Sequence, residues 1–212
     1  MPFDFGTGSD GVRLALDDGG RHSEPSNELL AALAAAALYP QLAYVEPVNF
    51  DKPKPMPKGI RRQPARLQVR DPDGASSVPQ SCQVHPSSVA ADLEWRTPYA
   101  CFHDRVKTAK LYLRDATPVP PLAPFLMAGA KLVYDSATGS LVLDGWLKLK
   151  CDPPSSAFLI DVTRRRLEER VTRLVLDAAA NKRWDSKDDP SKILKALDAL
   201  LEQRVGPPAI KY

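Results

Sequence analysis

The sequence predicts a mainly β fold with α additions: a five-stranded barrel, an added β-hairpin and C-terminal helices. Three observations lead there. Short runs with period-two alternation occur at 42–45, 65–70, 81–84, 99–106 and 110–119, the spacing expected of half-buried strands. The chain holds 21 prolines against 11 glycines, so its elements are short and frequently interrupted. Two segments after residue 154 instead place apolar residues at helical spacing. At 212 residues the chain is long enough for one core plus extensions.

Residues 1–26, rich in Gly, Asp and Ser, offer too little apolar surface to offset the entropy of ordering and are expected to be disordered. A short helix over 27–40 follows, with Ser26 or Asn27 able to cap it, alanines and leucines favouring it, and Pro40 ending it. The barrel is expected over 41–130, closing with a short helix over 121–130. Over 131–178 come a hairpin, 132–135 with 141–150 around the turn 136–139, and an amphipathic helix. Ser155 or Ser156 can cap that helix, Ile160, Leu167, Val171 and Leu174 share one face, and Arg165 and Glu169 can pair at i,i+4. The remainder, 179–212, is a linker and a last helix from Asp189-Pro190, with Ile193, Leu197, Leu200 and Leu201 on one stripe, ending before Gly206-Pro207.

The 29 Lys and Arg residues against 26 Asp and Glu give a net charge of +3, too small to name a polyanionic partner. The distribution is more telling. Lys52, Lys54, Lys58, Arg61, Arg62, Arg66 and Arg70 follow one another with no acidic residue after Asp51. Three cysteines, Cys82, Cys101 and Cys151, form no C-x-x-C pair and suit a reducing compartment, so cytoplasm or nucleus is expected. The longest apolar run, 29–38, is well short of the ~20 residues of a membrane span. Neither it nor the acidic, glycine-rich start indicates a membrane or export.

Catalytic strings are absent. The sequence holds no Gly-rich P-loop ending in Lys-Ser or Lys-Thr, no G-x-S-x-G elbow and no H-E-x-x-H pair, and its carboxylates show no spacing that marks an acid/base pair. Cys82, His85, Cys101 and His103 are four conceivable zinc ligands, but His85 precedes Pro86 and C-x-H is not a usual knuckle. Packing is the stronger reading of the cysteines, and no metal or cofactor is expected.

Four strings carry a resemblance: Ala37-Leu38-Tyr39-Pro40-Gln41-Leu42-Ala43; Val84-His85-Pro86-Ser87-Ser88-Val89; Arg105 through Thr117, with Lys107-Thr108-Ala109-Lys110 and Leu113-Arg114-Asp115-Ala116-Thr117 inside it; and Leu143-Asp144-Gly145-Trp146-Leu147-Lys148-Leu149. In this order the first three resemble the oligonucleotide-binding-fold (OB-fold) region at the C-terminal end of the core of DEAH-box ATP-dependent RNA helicases. The fourth is similar to the branch around RNA helicase A. The resemblance implies an OB-like barrel that holds single-stranded RNA leaving a helicase motor, present in cis or in trans. In the family ATP and magnesium are handled by that motor, so neither is expected in this chain.

The same resemblance carries RNA contact to His85, Ser87, Ser88, Lys107, Thr108, Lys110 and Arg114, with the basic loop of Lys52, Lys54, Lys58, Arg61 and Arg62 as a secondary surface. Cations suit phosphate, while hydroxyls and imidazole can donate to a backbone without reading sequence. Other readings stand beside this one. Ser87 and Ser88 can equally satisfy backbone groups in a turn, and Lys107 and Lys110 can be solvated strand-edge charges, although the motif favours RNA. Trp146, Tyr112 and Phe102 are expected in the core rather than stacked on bases. In function, the alternatives are a protein-docking module for activators of the G-patch type, or a gene-model fragment with no separate role.

Overall fold

The computed structural model describes residues 25–46, 66–70, 78–93, 95–180 and 190–202. Helix α1 (Asn27–Leu38) is capped by Ser26, whose hydroxyl accepts from the Leu29 amide at 3.0 Å. Seven strands then form one sheet: β1 (Leu42–Val45), β2 (Arg66–Val69), β3 (Gln80–Val84), β4 (Tyr99–Cys101), β5 (Asp104–Lys107), β6 (Leu111–Arg114) and β7 (Thr117–Val119), in the order β5-β6-β3-β2-β1-β4-β7. The sheet is curled on itself. β4 and β5 are two halves of one bent strand, and so are β6 and β7, because β4 pairs with β7 and β5 with β6. Counted that way there are five strands, in the ring 1-2-3-5-4-1, with the β3–β6 contact parallel. The five predicted runs are these strands, two of them broken.

One break has a visible cause. Along β6 and β7 the inward positions are Leu113 and then Ala116, three residues apart where alternation demands two or four. The residue that absorbs the slip is Asp115, with φ of 51°, the left-handed conformation of a bulge that bends a strand.

Strand alternation separates two cores. Ala43, Val45, Leu67, Val69, Cys82, Val84, Ala100, Phe102 and Leu113 fill the barrel, with Trp95 beside them. Leu42, Tyr99, Cys101 and Val119 face outward on β1, β4 and β7 and are covered by α1, by α2 (Ala123–Met127) and by a second sheet. That sheet departs from the predicted hairpin. It has three strands, β8 (Leu132–Asp135), β9 (Ser140–Leu143) and β10 (Leu147–Lys150). The run 141–150 is cut at Asp144-Gly145, with φ of 46° and 79°, because an Asp-Gly pair adopts the two positive φ values of a tight hairpin turn.

Helix α3 (Ser155–Ala179) has Pro154 at its N-cap and no side-chain cap bond, so neither Ser155 nor Ser156 caps it. Ile160 and Leu167 pack on the outer core as expected, whereas Val171 is 48% exposed. The predicted Arg165–Glu169 pair is replaced by an Arg165–Asp161 ion pair. Arg164 is buried and donates from its guanidinium to the carbonyls of Phe125 (3.2 Å), Ala128 (2.6 Å) and Gly129 (2.5 Å), closing the C-terminal end of α2. Helix α4 (Pro190–Leu201) lays Ile193, Leu197 and Leu201 on the outer core, and its Asp198 is hydrogen-bonded to Ser26. Among the described residues no helix is long and apolar enough to cross a membrane.

Candidate nucleic-acid interface

The outer wall of the barrel has two halves of different character. Where β1, β4 and β7 face outward, helices and the second sheet cover them. Where β2, β3, β5 and β6 face outward, the side chains are mostly polar or aromatic and half-buried or exposed: Arg66 and Gln68 on β2, Ser81 and Gln83 on β3, His85 just beyond it, Asp104 on β5, Tyr112 and Arg114 on β6, with Val106 of β5 the aliphatic one among them. Register brings them together. Gln83 lies opposite Arg66 on one side and Tyr112 on the other, and Arg114 lies opposite Asp104.

His85 is fixed to this face by its backbone amide, which donates to the Leu113 carbonyl at 2.9 Å. Its ring meets that of Tyr112 nearly at right angles (76°), with centroids 5.6 Å apart. Nδ1 accepts from the Ser87 amide at 3.2 Å and lies 2.7 Å from the Ser87 hydroxyl. Ser88 turns away from the ring. Its hydroxyl accepts from the Ala90 amide at 3.4 Å and caps a single 3-10 turn, Val89–Asp92. The turn reading therefore describes Ser88, while Ser87 is tied to the imidazole.

Lys107, Thr108 and Lys110 come together in the turn joining β5 to β6, all exposed, with the Thr108 amide donating to the Lys110 carbonyl at 2.9 Å. Four residues of extended chain separate Lys110 from Arg114, about 13 Å at strand rise. The turn and the His85 corner thus bracket one strip of sheet from opposite ends of β6. In an OB-fold the surface of the second and third strands, with the loop joining the first two and the loop joining the last two, is the oligonucleotide face. In the five-strand count those strands are β2 and β3, and 108–110 is the last of these loops. The other loop contains Lys52, Lys54, Lys58, Arg61 and Arg62, which lie outside the described residues.

A family model described as oligonucleotide/oligosaccharide-binding (OB)-fold matches residues 29–132. The chain is 25% identical over 165 residues to the putative ATP-dependent RNA helicase DHX57 of Homo sapiens, covering 76% of this chain and 12% of that protein. It is 29% identical over 120 residues to the ATP-dependent RNA helicase DHX29 of Homo sapiens (57% and 8%), and 23% identical over 200 residues to the ATP-dependent DNA/RNA helicase DHX36 of Mus musculus (93% and 18%). The chain carries the helicase-associated OB-fold domain. It spans between 8% and 18% of the length of these relatives.

Within the OB-fold domain, three residues of the open face were not assigned to it from sequence: Gln83 was not singled out, Arg66 was named only within the basic stretch, and Tyr112 was expected in the core. Phe102 is in the barrel core and Trp146 packs against the outer core, as expected, but Tyr112 stands on the open face. The signal that could have found all three is the alternation itself, once Leu67, Cys82 and Leu113 are set as inward. The four conceivable zinc ligands do not converge. Cys82 points into the barrel, where its thiol donates to the Leu67 carbonyl, Cys101 points into the outer core, and His85 is on the open face beside Ser87. Burial pushes the Cys82 thiol up to about 12, so neutral packing suits it.

Proposed function

We propose that this OB-fold domain binds single-stranded RNA by its sugar-phosphate backbone across the open face, holding the strand as it leaves a helicase motor that supplies ATP hydrolysis and magnesium in cis or in trans. The observation that carries the reading is the asymmetry of the barrel wall. One outer half is apolar and sealed, while the other presents Arg66, Gln83, His85, Tyr112 and Arg114, with Lys107 and Lys110 at its end. Arginine and lysine neutralise phosphates, the amide and imidazole supply donors, and the half-buried Tyr112 ring offers a surface on which a base can stack. None of these contacts selects a base, which suits a domain that passes strand of any sequence.

The test is titration of a labelled single-stranded RNA with the protein and with two charge-reversed variants. Arg66→Glu with Arg114→Glu, on the open face, should weaken binding at least ~100-fold, since two phosphate contacts become repulsions. Arg165→Glu with Arg166→Glu, on the exposed side of α3, should leave it within about threefold. Equal effects of the two pairs would defeat the assignment of the face.

A second reading, docking of an activating protein of the G-patch type, draws on a different surface. Phe158, Leu159, Val171, Val175 and Leu176 of α3 are exposed apolar side chains, an uncommon concentration for one helix. Loss of partner capture on Val175→Ser with Leu176→Ser, with RNA affinity unchanged, would favour it.

A further inference from the structure

We propose that Ser87 is a positioning residue, which locks the His85 imidazole as its Nε2–H tautomer and so makes His85 a neutral hydrogen-bond donor to a backbone oxygen of the bound strand. This rests on the open-face reading and goes beyond it by dividing the His-Pro-Ser-Ser segment into distinct roles.

Donor and acceptor chemistry decides the tautomer. The Ser87 backbone N–H can only donate, and it is directed at His85 Nδ1 from 3.2 Å. Nδ1 must therefore carry a lone pair, and the ring hydrogen is on Nε2. The 2.7 Å contact between Nδ1 and the Ser87 hydroxyl has the same polarity, with Oγ–H donating. Two donors from one residue converge on one nitrogen. A neutral imidazole with a free choice of tautomer would present an acceptor to the ligand part of the time, and an acceptor repels phosphate; here that choice is removed.

Ring orientation is fixed as well. The His85 amide is tied to the Leu113 carbonyl, Pro86 follows directly, and Tyr112 stands nearly perpendicular to the imidazole across the parallel β3–β6 contact. A side chain held at its backbone, at Nδ1 and against an aromatic ring loses little further entropy when it engages a ligand. Because the donor is neutral, its contribution releases no counterion. It should add affinity without changing the salt dependence, unlike Lys107 or Lys110.

Two measurements on the full chain test this. Nitrogen-15 NMR of the free protein reads the tautomer directly: the parent should show His85 with protonated Nε2 and bare Nδ1; Ser87→Ala, which removes the hydroxyl donor and keeps the backbone one, should loosen that bias, and Ser87→Pro, which removes both donors, should give a tautomer mixture. A mixture already present in the parent would overturn the lock. Titration with a single-stranded oligouridylate at several salt concentrations then reads the role. His85→Ala should weaken binding roughly tenfold with an unchanged salt slope, and Ser87→Ala roughly threefold. Adding Ser87→Ala to His85→Ala should change nothing more, because Ser87 acts through the ring. Additive losses would mean that Ser87 touches the strand itself and would overturn the positioning role while leaving the open-face reading intact. A parent that does not bind the oligouridylate, with His85 locked in the free protein, would overturn both the open-face reading and the donor role.

Discussion

The phenol of Tyr39, just past the end of α1, donates a hydrogen bond to the carboxylate of Asp144 in the turn between β9 and β10. The same carboxylate accepts from the Ala130 and Lys131 amides, and the Asp144 carbonyl accepts from Arg70 at 2.8 Å. One turn residue therefore ties the leading helix, the barrel and the second sheet together.

The acid sensitivity of that tie has a defined sign. Burial alone would raise the Asp144 pKa, but the bonds from Tyr39, Lys131 and Ala130, with the positive charge of Arg164, outweigh it and hold the carboxyl below its usual range. A depressed folded pKa gives stability that is present above the unfolded value and is lost as pH falls through the folded one. Asp144→Asn should keep the turn, since Asn tolerates positive φ, yet lose about 1–2 kcal/mol at neutral pH. The gap between parent and variant, followed by urea unfolding, should narrow as pH drops below about 4. A gap independent of pH would mean that the carboxylate charge is immaterial.

Two glycines near this turn separate crowding from conformation. Gly129 and Gly145 have φ of 74° and 79°, but a Cβ on Gly129 would lie 2.6 Å from Leu143 Cδ1 and 2.8 Å from Asp144 Oδ2, whereas Gly145 has nothing within 4 Å. Gly145→Ala should cost about 1 kcal/mol, the strain of a left-handed backbone, and Gly129→Ala about 3 kcal/mol. Thermal unfolding of the pair checks the order, and equal shifts would show that the neighbours of Gly129 relax freely.

How far the fold could be read in advance depends on the range of the interaction. Ser26 as a cap and the alternation of Leu67 and Val69 are local, and both are legible from a few residues. Arg165 had two acidic partners four residues away. It takes Asp161, the N-terminal one, because an acid preceding a base is the better orientation against the helix dipole. The Asp144-Gly145 turn was local too, and its chemistry outweighs the apolar run 141–150 that suggested a single strand. The open face was not local. Arg66, Gln83 and Tyr112 sit on three strands and meet only because β3 pairs with β6 in parallel, a closure that no window of sequence contains.

The three cysteines predict a chemical result. Cys82, Cys101 and Cys151 are all buried, and burial raises each thiol pKa above its usual value. The thiolate is the reactive form, so a thiol-specific reagent at neutral pH should titrate all three slowly in the native protein and at once in denaturant. A thiol that reacts rapidly before unfolding would show that one of these sites opens without global loss of structure.

The turn at the end of the open face should govern the salt dependence of binding. Lys107 and Lys110 are both exposed, and the turn between them is fixed by the Thr108–Lys110 backbone bond, so their charges project from a defined place at the foot of β6. A cation that neutralises a phosphate on a single strand releases counterions, and each such contact contributes about 0.7 to the slope of log affinity against log salt. Lys107→Ala with Lys110→Ala should therefore flatten the slope by roughly 1.4 if both contact phosphate, and should weaken binding alike for every sequence. His85→Ala gives the contrast, losing affinity at constant slope. Lys52→Ala with Lys54→Ala and Lys58→Ala sets the comparison with the basic segment. If that triple variant flattens the slope more per charge than the Lys107 and Lys110 pair, the basic segment and not the turn is the main phosphate clamp. If the pair binds with the slope and affinity of the parent, the strand does not reach this end of the sheet, and the assignment of Lys107, Thr108 and Lys110 to the interface fails.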